Sequence, residues 1–204
     1  MKREETELLG RLPSWRYEKS VRIKSPEERM RSIAAGLLLV KAGFGKDLVE
    51  ADSKTGSKKY NLSHSGNYVA MVVGENAGID IETKEDKNFK ITKRMFCESE
   101  QEYILDGEES KAQMRFRNIW TAKESFLKCT REGISVPLNS FTLDMETGQV
   151  VECEKEVDSE KKGYDFQGKT YYTVTVTEDE YSMSVTALTD KIFTLDIEYV
   201  KVLV

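Results

Sequence analysis

The sequence predicts an α+β fold in which one unit, a helix followed by an antiparallel hairpin, is duplicated about a pseudo-two-fold axis. Three observations carry this. A strand-like run from Tyr68, a turn and then Ile79-Asp80-Ile81-Glu82 resembles a run from Tyr181, a turn and then Leu195-Asp196-Ile197-Glu198. The helical stretch that opens with Arg31-Ser32-Ile33 is echoed by Arg117-Asn118-Ile119. The length, 204 residues, suits one large domain or two small packed halves. Duplication places a cleft at the seam between the copies. Residues 1–77 and 78–204 are therefore read as N-terminal and C-terminal halves with the site between them.

Each element has a local reason. Ser25-Pro26-Glu27-Glu28 is a strong helix start, with Ser25 as N-cap, proline at the first helical position and Glu28 closing a capping box. Met30, Ile33, Leu37 and Val40 follow at helical spacing, and Gly43 supplies a stop. Residues 68–73 read as a strand, residues 74–77 as a turn and residues 78–82 as the returning strand. Ser99-Glu100-Gln101-Glu102 is a second capping-box pattern, starting a short helix that Gly107 ends. A long helix spans residues 110–130, with Phe116, Ile119, Trp120, Lys123 and Leu127 on one face. Strands follow at 141–145, 171–176, 181–188 and 193–200.

Composition excludes several function classes. Hydrophobic residues make up 39% and charged residues 33%, a globular balance. No apolar run approaches the ~20 residues of a membrane span, and residues 1–10 lack an apolar signal core, so the expected location is the cytoplasm. Cys97, Cys129 and Cys153 form no CxxC, and His64 is the sole histidine. That excludes a zinc site of common type and suggests free thiols. A net charge of −5 argues against nucleic-acid binding. Locally the balance reverses: Arg11, Arg16, Lys19, Arg22, Lys24, Arg29 and Arg31 face only Glu18, Glu27 and Glu28 between residues 11 and 31. Such a stretch is either a solvated helix face or a phosphate site.

Asp80 and Glu82 are two apart on an expected strand, so their carboxylates share a face. Like charges held together need a partner, and a hard divalent cation serves. An exposed polar face is the plainer alternative. Glu124 and Lys128 are four apart on the long helix. Trp120 and Leu127 put them beside the buried face, unlike an ordinary surface pair. Asp80, Glu82 and Glu124 would together suit Mg²⁺ with substrate phosphate oxygens as further ligands. His64, between Ser63 and Ser65 and after Lys54, Lys58 and Lys59, is either structural or a phosphate contact. Nucleophile elbow, P-loop and GxGxxG patterns are absent from the sequence.

Gly78-Ile79-Asp80-Ile81-Glu82, Trp120-Thr121-Ala122-Lys123-Glu124-Ser125-Phe126-Leu127-Lys128 and Asn61-Leu62-Ser63-His64-Ser65 together resemble the signature motifs of the 4′-phosphopantetheinyl transferases. Arg31-Ser32-Ile33 with its continuation, and Arg94-Met95-Phe96 through Glu100, match supporting stretches. The resemblance covers residues 15–145 and fits the larger, single-chain type. It implies transfer of the phosphopantetheine arm of coenzyme A to a serine of an acyl, polyketide or peptidyl carrier protein, with release of 3′,5′-ADP. It further implies Mg²⁺ on Asp80, Glu82 and Glu124, and Lys128 at the phosphate being transferred or its leaving oxygen. Ser63 and His64 would bind the 3′-phosphoadenosine end. Arg16, Lys19 and Arg31 would meet phosphates. Glu100 matches a glutamate near the metal. Lys58 belongs to Gly56-Ser57-Lys58-Lys59, which stands where the family commonly has Gly-Lys-Pro. Glu124 is the candidate base for the serine proton, with Glu100 as the alternative. The expected protein is a monomer built as a pseudo-dimer, bound to neither nucleic acid nor membrane. Two rival readings are a binding module for coenzyme A or carrier that has lost catalysis, and an unrelated α+β interaction domain.

Overall fold

A computed structural model describes residues 3–44, 60–84, 91–106, 108–133, 136–143, 150–152, 169–189 and 193–200. Helices Arg3–Leu9 (α1), Ser14–Val21 (α2) and Pro26–Lys41 (α3) come first, followed by strands Tyr60–Ser65 (β1), Tyr68–Val73 (β2) and Ala77–Thr83 (β3). Helices Thr92–Met95 (α4), Glu98–Leu105 (α5) and Glu109–Thr130 (α6) precede Phe141–Leu143 (β4), Val150–Glu152 (β5), Tyr171–Thr177 (β6) and Tyr181–Leu188 (β7). Helices and antiparallel sheet are thus mixed, as expected.

The start of α3 follows the sequence reading: Ser25 Oγ accepts the Glu28 N–H at 3.3 Å, with Pro26 in the first turn. The start of α5 does not. Its N-cap is Cys97, whose N–H donates to Glu100 Oε2 at 3.0 Å, two residues before the expected cap at Ser99. Helices α1 and α2 and strand β1 were not anticipated; the alternation in β1 is polar, and polar alternation gives no hydrophobic signal.

Pairing differs from expectation in two places. Strand β2 pairs antiparallel with β1, closing at Ser65↔Tyr68 on a two-residue turn where Gly66 takes φ +51°. A positive φ there is what such hairpin turns demand. The expected partner of β2, the strand at residues 78–82, instead pairs with β7 in a sheet of order β3-β7-β6. Residues 193–200 form no regular element and join none of the sheets. Phe193, Leu195 and Ile197 still alternate inward onto Ala70, Ile79, Ile81, Tyr181, Met183 and Val185, so the period-2 pattern reports a buried face without a backbone ladder.

Strand β7 is buried on both faces. Tyr181, Met183 and Val185 join that apolar cluster, while Ser182, Ser184 and Thr186 lie under α6. Thr121 and Ser184 hydroxyls meet at 2.7 Å, Ser125 and Thr186 at 2.6 Å, and Asn118 Oδ1 accepts from Ser182 Oγ at 2.7 Å. Small hydroxyl side chains let the helix approach closely while each of these buried polar groups keeps a partner. Apolar packing lies at the other flank of α6, where Phe126 packs against Phe141 and Tyr171, and near α5, where Phe96, Ile104, Phe116 and Ile119 cluster.

Gly78 marks the tightest contact between α6 and β3. A Cβ there would stand 2.1 Å from the Ser125 carbonyl oxygen and 2.4 Å from the Cys129 nitrogen. Both are backbone atoms, so no rotamer change relieves the clash. Gly78→Ala is expected to cost about 1–3 kcal/mol, toward the upper end, as a lowered urea midpoint. A midpoint equal to wild type would show that α6 can lift at no cost.

Cys129 is a buried free thiol, pushed up to about 12 by burial, whereas Cys97 is disulfide-bonded, which corrects the expectation of free thiols throughout. No helix among the described residues is long and apolar enough to cross a membrane.

Candidate active site

The α6-facing side of β3 carries Asp80 beside Gly78, and α6 brings Glu124 and Lys128 to it. Lys128 Nζ donates to Asp80 Oδ1 at 2.6 Å, to Ser63 Oγ at 3.0 Å and to the Ile79 carbonyl at 3.1 Å. Ser63 Oγ in turn donates to Asp80 Oδ1 at 2.7 Å. Glu82, two residues on, accepts from Ser65 Oγ at 3.0 Å. Strand periodicity and the four-residue helical step thus bring together Asp80, Glu82, Glu124, Lys128 and Ser63.

The electrostatics are those of crowded carboxylates. Burial pushes the Asp80 carboxyl above its usual range, and the Glu82 charge adds to the shift against opposition from Lys128 and Ser63. Burial also raises Glu124, with the charges of Asp80 and Glu82 acting in the same direction and Lys128 opposing. The charges of Asp80, Glu82 and Lys128 thus all act on Glu124. Asp80 Oδ2 is buried without a hydrogen-bond partner. An orphaned carboxylate oxygen costs free energy unless something cationic reaches it, and an all-oxygen donor set fits a hard cation such as Mg²⁺. Among the described residues no three His, Cys, Asp or Glu side chains yet converge as a closed metal set; Lys128 stands against the other Asp80 oxygen.

The model of the 4'-phosphopantetheinyl transferase superfamily matches residues 76–186, just over half of the chain and the segment that carries β3 and α6. The chain belongs to this superfamily. It is similar to the 4'-phosphopantetheinyl transferase gsp of Aneurinibacillus migulanus, 31% identical over 116 residues, 56% of this chain and 47% of that protein. It is similar to the 4'-phosphopantetheinyl transferase Sfp of Bacillus subtilis, 36% identical over 93 residues, 45% of this chain and 42% of that one. Against the 4'-phosphopantetheinyl transferase ffp of Bacillus subtilis identity is 28% over 168 residues, 74% of this chain and 75% of the relative. The chain thus spans under half the length of the first two relatives.

For this transferase-family chain, the other candidate residues separate into groups. Glu100 lies apart from the cluster, only 2% exposed, in an ion pair with Lys123 Nζ at 2.8 Å. It also accepts from the Cys97 and Leu143 N–H groups, so its oxygens are committed to α5 and β4. Arg16 is buried between α2 and α3, its Nε donating to the Ser32 carbonyl at 3.1 Å. Lys19 is exposed on α2. Arg31 Nη1 reaches the Gly66 carbonyl in the β1–β2 turn at 3.2 Å, and its buried Nε has no hydrogen-bond partner. His64 is exposed while Ser63 is buried, because adjacent residues of a strand face opposite ways. Ser63 is thereby engaged with Asp80 and Lys128. Lys58 lies outside the described residues.

Sequence reasoning passed over Lys123 as the partner of Glu100 and Ser65 as a carboxylate partner. A lysine between Ala122 and Phe126 on the apolar face of α6 was the available sign of the first. The alternation Asn61-x-Ser63-x-Ser65 was the sign of the second.

Proposed function

We propose that this protein transfers the 4′-phosphopantetheine arm of coenzyme A to a serine of an acyl, polyketide or peptidyl carrier protein. The observation that carries this is the union of Asp80, Glu82, Glu124 and Lys128 on the two elements that the family model spans. The serine Oγ forms a bond to the β-phosphorus of coenzyme A. The bond from that phosphorus to the bridging oxygen breaks, and its electron pair leaves with 3′,5′-ADP. Glu124, set beside Asp80 and Lys128, takes the serine proton as general base. Lys128 offers positive charge to the phosphoryl oxygens, which is much of what such a transfer requires. Asp80, Glu82 and Glu124 would hold Mg²⁺, which supplies Lewis-acid neutralisation of the pyrophosphate when bound. Arg31, with an unpaired Nε beside the hairpin turn, is positioned for a phosphate, and exposed Lys19 and His64 add contacts for the nucleotide end.

Residues 1–77 and 78–204 form the two halves in this reading, with α3 over β1–β2 repeating the relation of α6 to β3–β7–β6. The working form is a cytoplasmic monomer. Its carrier partner is a small acidic domain steered by the exposed bases Arg11, Lys19, Arg22 and Lys24.

Intact mass of a serine-containing apo carrier tests this, after incubation with the protein and coenzyme A, with Mg²⁺ or with EDTA. Gain of one phosphopantetheine only with the metal, abolished in Glu82→Ala, supports the proposal. No gain with several carriers, from folded protein that still binds coenzyme A, favours a binding module.

A further inference from the structure

Strands β1 and β3 run alongside each other, yet β1 pairs with β2 and β3 with β7. Three side chains of β1 meet the backbone of β3. Asn61 Oδ1 accepts the Ile79 N–H at 3.1 Å, Ser63 Oγ accepts the Ile81 N–H at 3.4 Å, and Ser65 Oγ accepts the Thr83 N–H at 3.1 Å. The offset is 18 residues at each rung, so the alignment is parallel and in constant register. Alternate residues of a strand share a face; β1 therefore turns one polar face onto the edge of β3 and satisfies its amides without a backbone ladder.

A hydroxyl has one proton and two acceptor sites. Ser63 accepts from Ile81 N–H and Lys128 Nζ, so its proton goes to Asp80. Ser65 accepts from Thr83 N–H and stands 3.1 Å from the Thr83 hydroxyl, which can also donate to it. Its own proton is then left for Glu82 Oε2 at 3.0 Å. Each serine rung fixes a strand amide and aims a carboxylate at once.

We propose that Asn61, Ser63 and Ser65 form a side-chain ladder that registers the β1–β2 hairpin on β3, and that Ser65 is a positioning residue for the Glu82 carboxylate. The second half rests on the proposed function; the first does not. Ser65→Ala removes both the acceptor for Thr83 N–H and the donor to Glu82, whereas Ser65→Thr keeps a hydroxyl in a residue suited to strands.

The test reads amide hydrogen exchange by NMR together with Mn²⁺ affinity by titration in the presence of coenzyme A. In Ser65→Ala, exchange at Thr83 is expected to rise about tenfold or more and Mn²⁺ binding to weaken by about 10-fold or more, the range for loss of a group that orients a metal ligand. Ser65→Thr restores both, and Asn61→Ala raises exchange at Ile79. Unchanged exchange at Thr83 and Ile79 would overturn the ladder. Faster exchange with Mn²⁺ affinity within twofold of wild type, or no rescue by threonine, would overturn the positioning role. Failure of the wild-type protein to bind Mn²⁺ would instead refute the functional reading and leave the exchange result to decide the ladder.

Discussion

Glu124→Gln is expected to lower carrier modification by about 10²–10⁴-fold, the range for loss of a positioned general base, while the fold gains stability. Folded Glu124 binds its proton more tightly than an ordinary glutamate because burial, Asp80 and Glu82 all disfavour its charge. Ionised Glu124 therefore destabilises the cation-free fold. That cost is absent below the ordinary glutamate value of 4.5 and grows as pH rises through the elevated folded value. In EDTA at pH 7 the variant should melt above wild type, and the gap should close as pH falls below 4.5. Saturating Mg²⁺ should reverse the order, since only the carboxylate gains from the cation. Melting curves across pH with and without metal, beside turnover, measure both effects. A variant that keeps half its activity, or melts below wild type in EDTA at pH 7, contradicts the role assigned to Glu124.

Glu100→Ala should do the opposite, costing about 3–5 kcal/mol of stability because it leaves one member of a buried pair behind. Lys123 is fully buried, held by Glu100 Oε1 at 2.8 Å and the Leu138 carbonyl at 2.7 Å, with its Nζ 4.3 Å from the Phe141 ring centre. It also donates to the Phe141 carbonyl. Burial pulls Lys123 down to about 8, and Glu100 is what opposes this. Without Glu100 the ammonium must deprotonate in place or bring α5, α6 and β4 apart. Changing both to methionine should cost less than either alanine change, since no charge remains unpaired. Urea unfolding reads the stability. Turnover per folded molecule reads the chemistry, and in Glu100→Gln it should fall far less than in Glu124→Gln. Equal loss in the two would return Glu100 to the active site.

What the sequence could reveal depended on the range of the interaction. Ser25-Pro26 marked α3 because an N-cap and a first-turn proline act within four residues. The Asp80–Glu82 and Glu124–Lys128 spacings were readable because strand and helix periods fix side-chain direction. Pairing was not. Residues 68–73 and 78–82 look like a hairpin, but β3 finds β7 about a hundred residues away, and no local pattern encodes that preference. Residues 193–200 carry a strand's alternation because one face is buried, although they share no ladder. Glu100 lay in a stretch resembling the family and so was grouped with the metal. Its commitment to Lys123 depends on α5 packing against α6, a tertiary fact.

The hydroxyls beneath α6 also bear on how such a sequence can drift. Ser184 is shared by Thr121 and Thr175, and Thr186 by Ser125 and Thr173. Losing one member strands its neighbours in a buried interface, whereas exchanging the group for apolar residues of matched volume leaves none stranded. Descendants of this chain should therefore alter these positions in concert, and the helix bearing Glu124 and Lys128 rides on a patch where inheritance is collective.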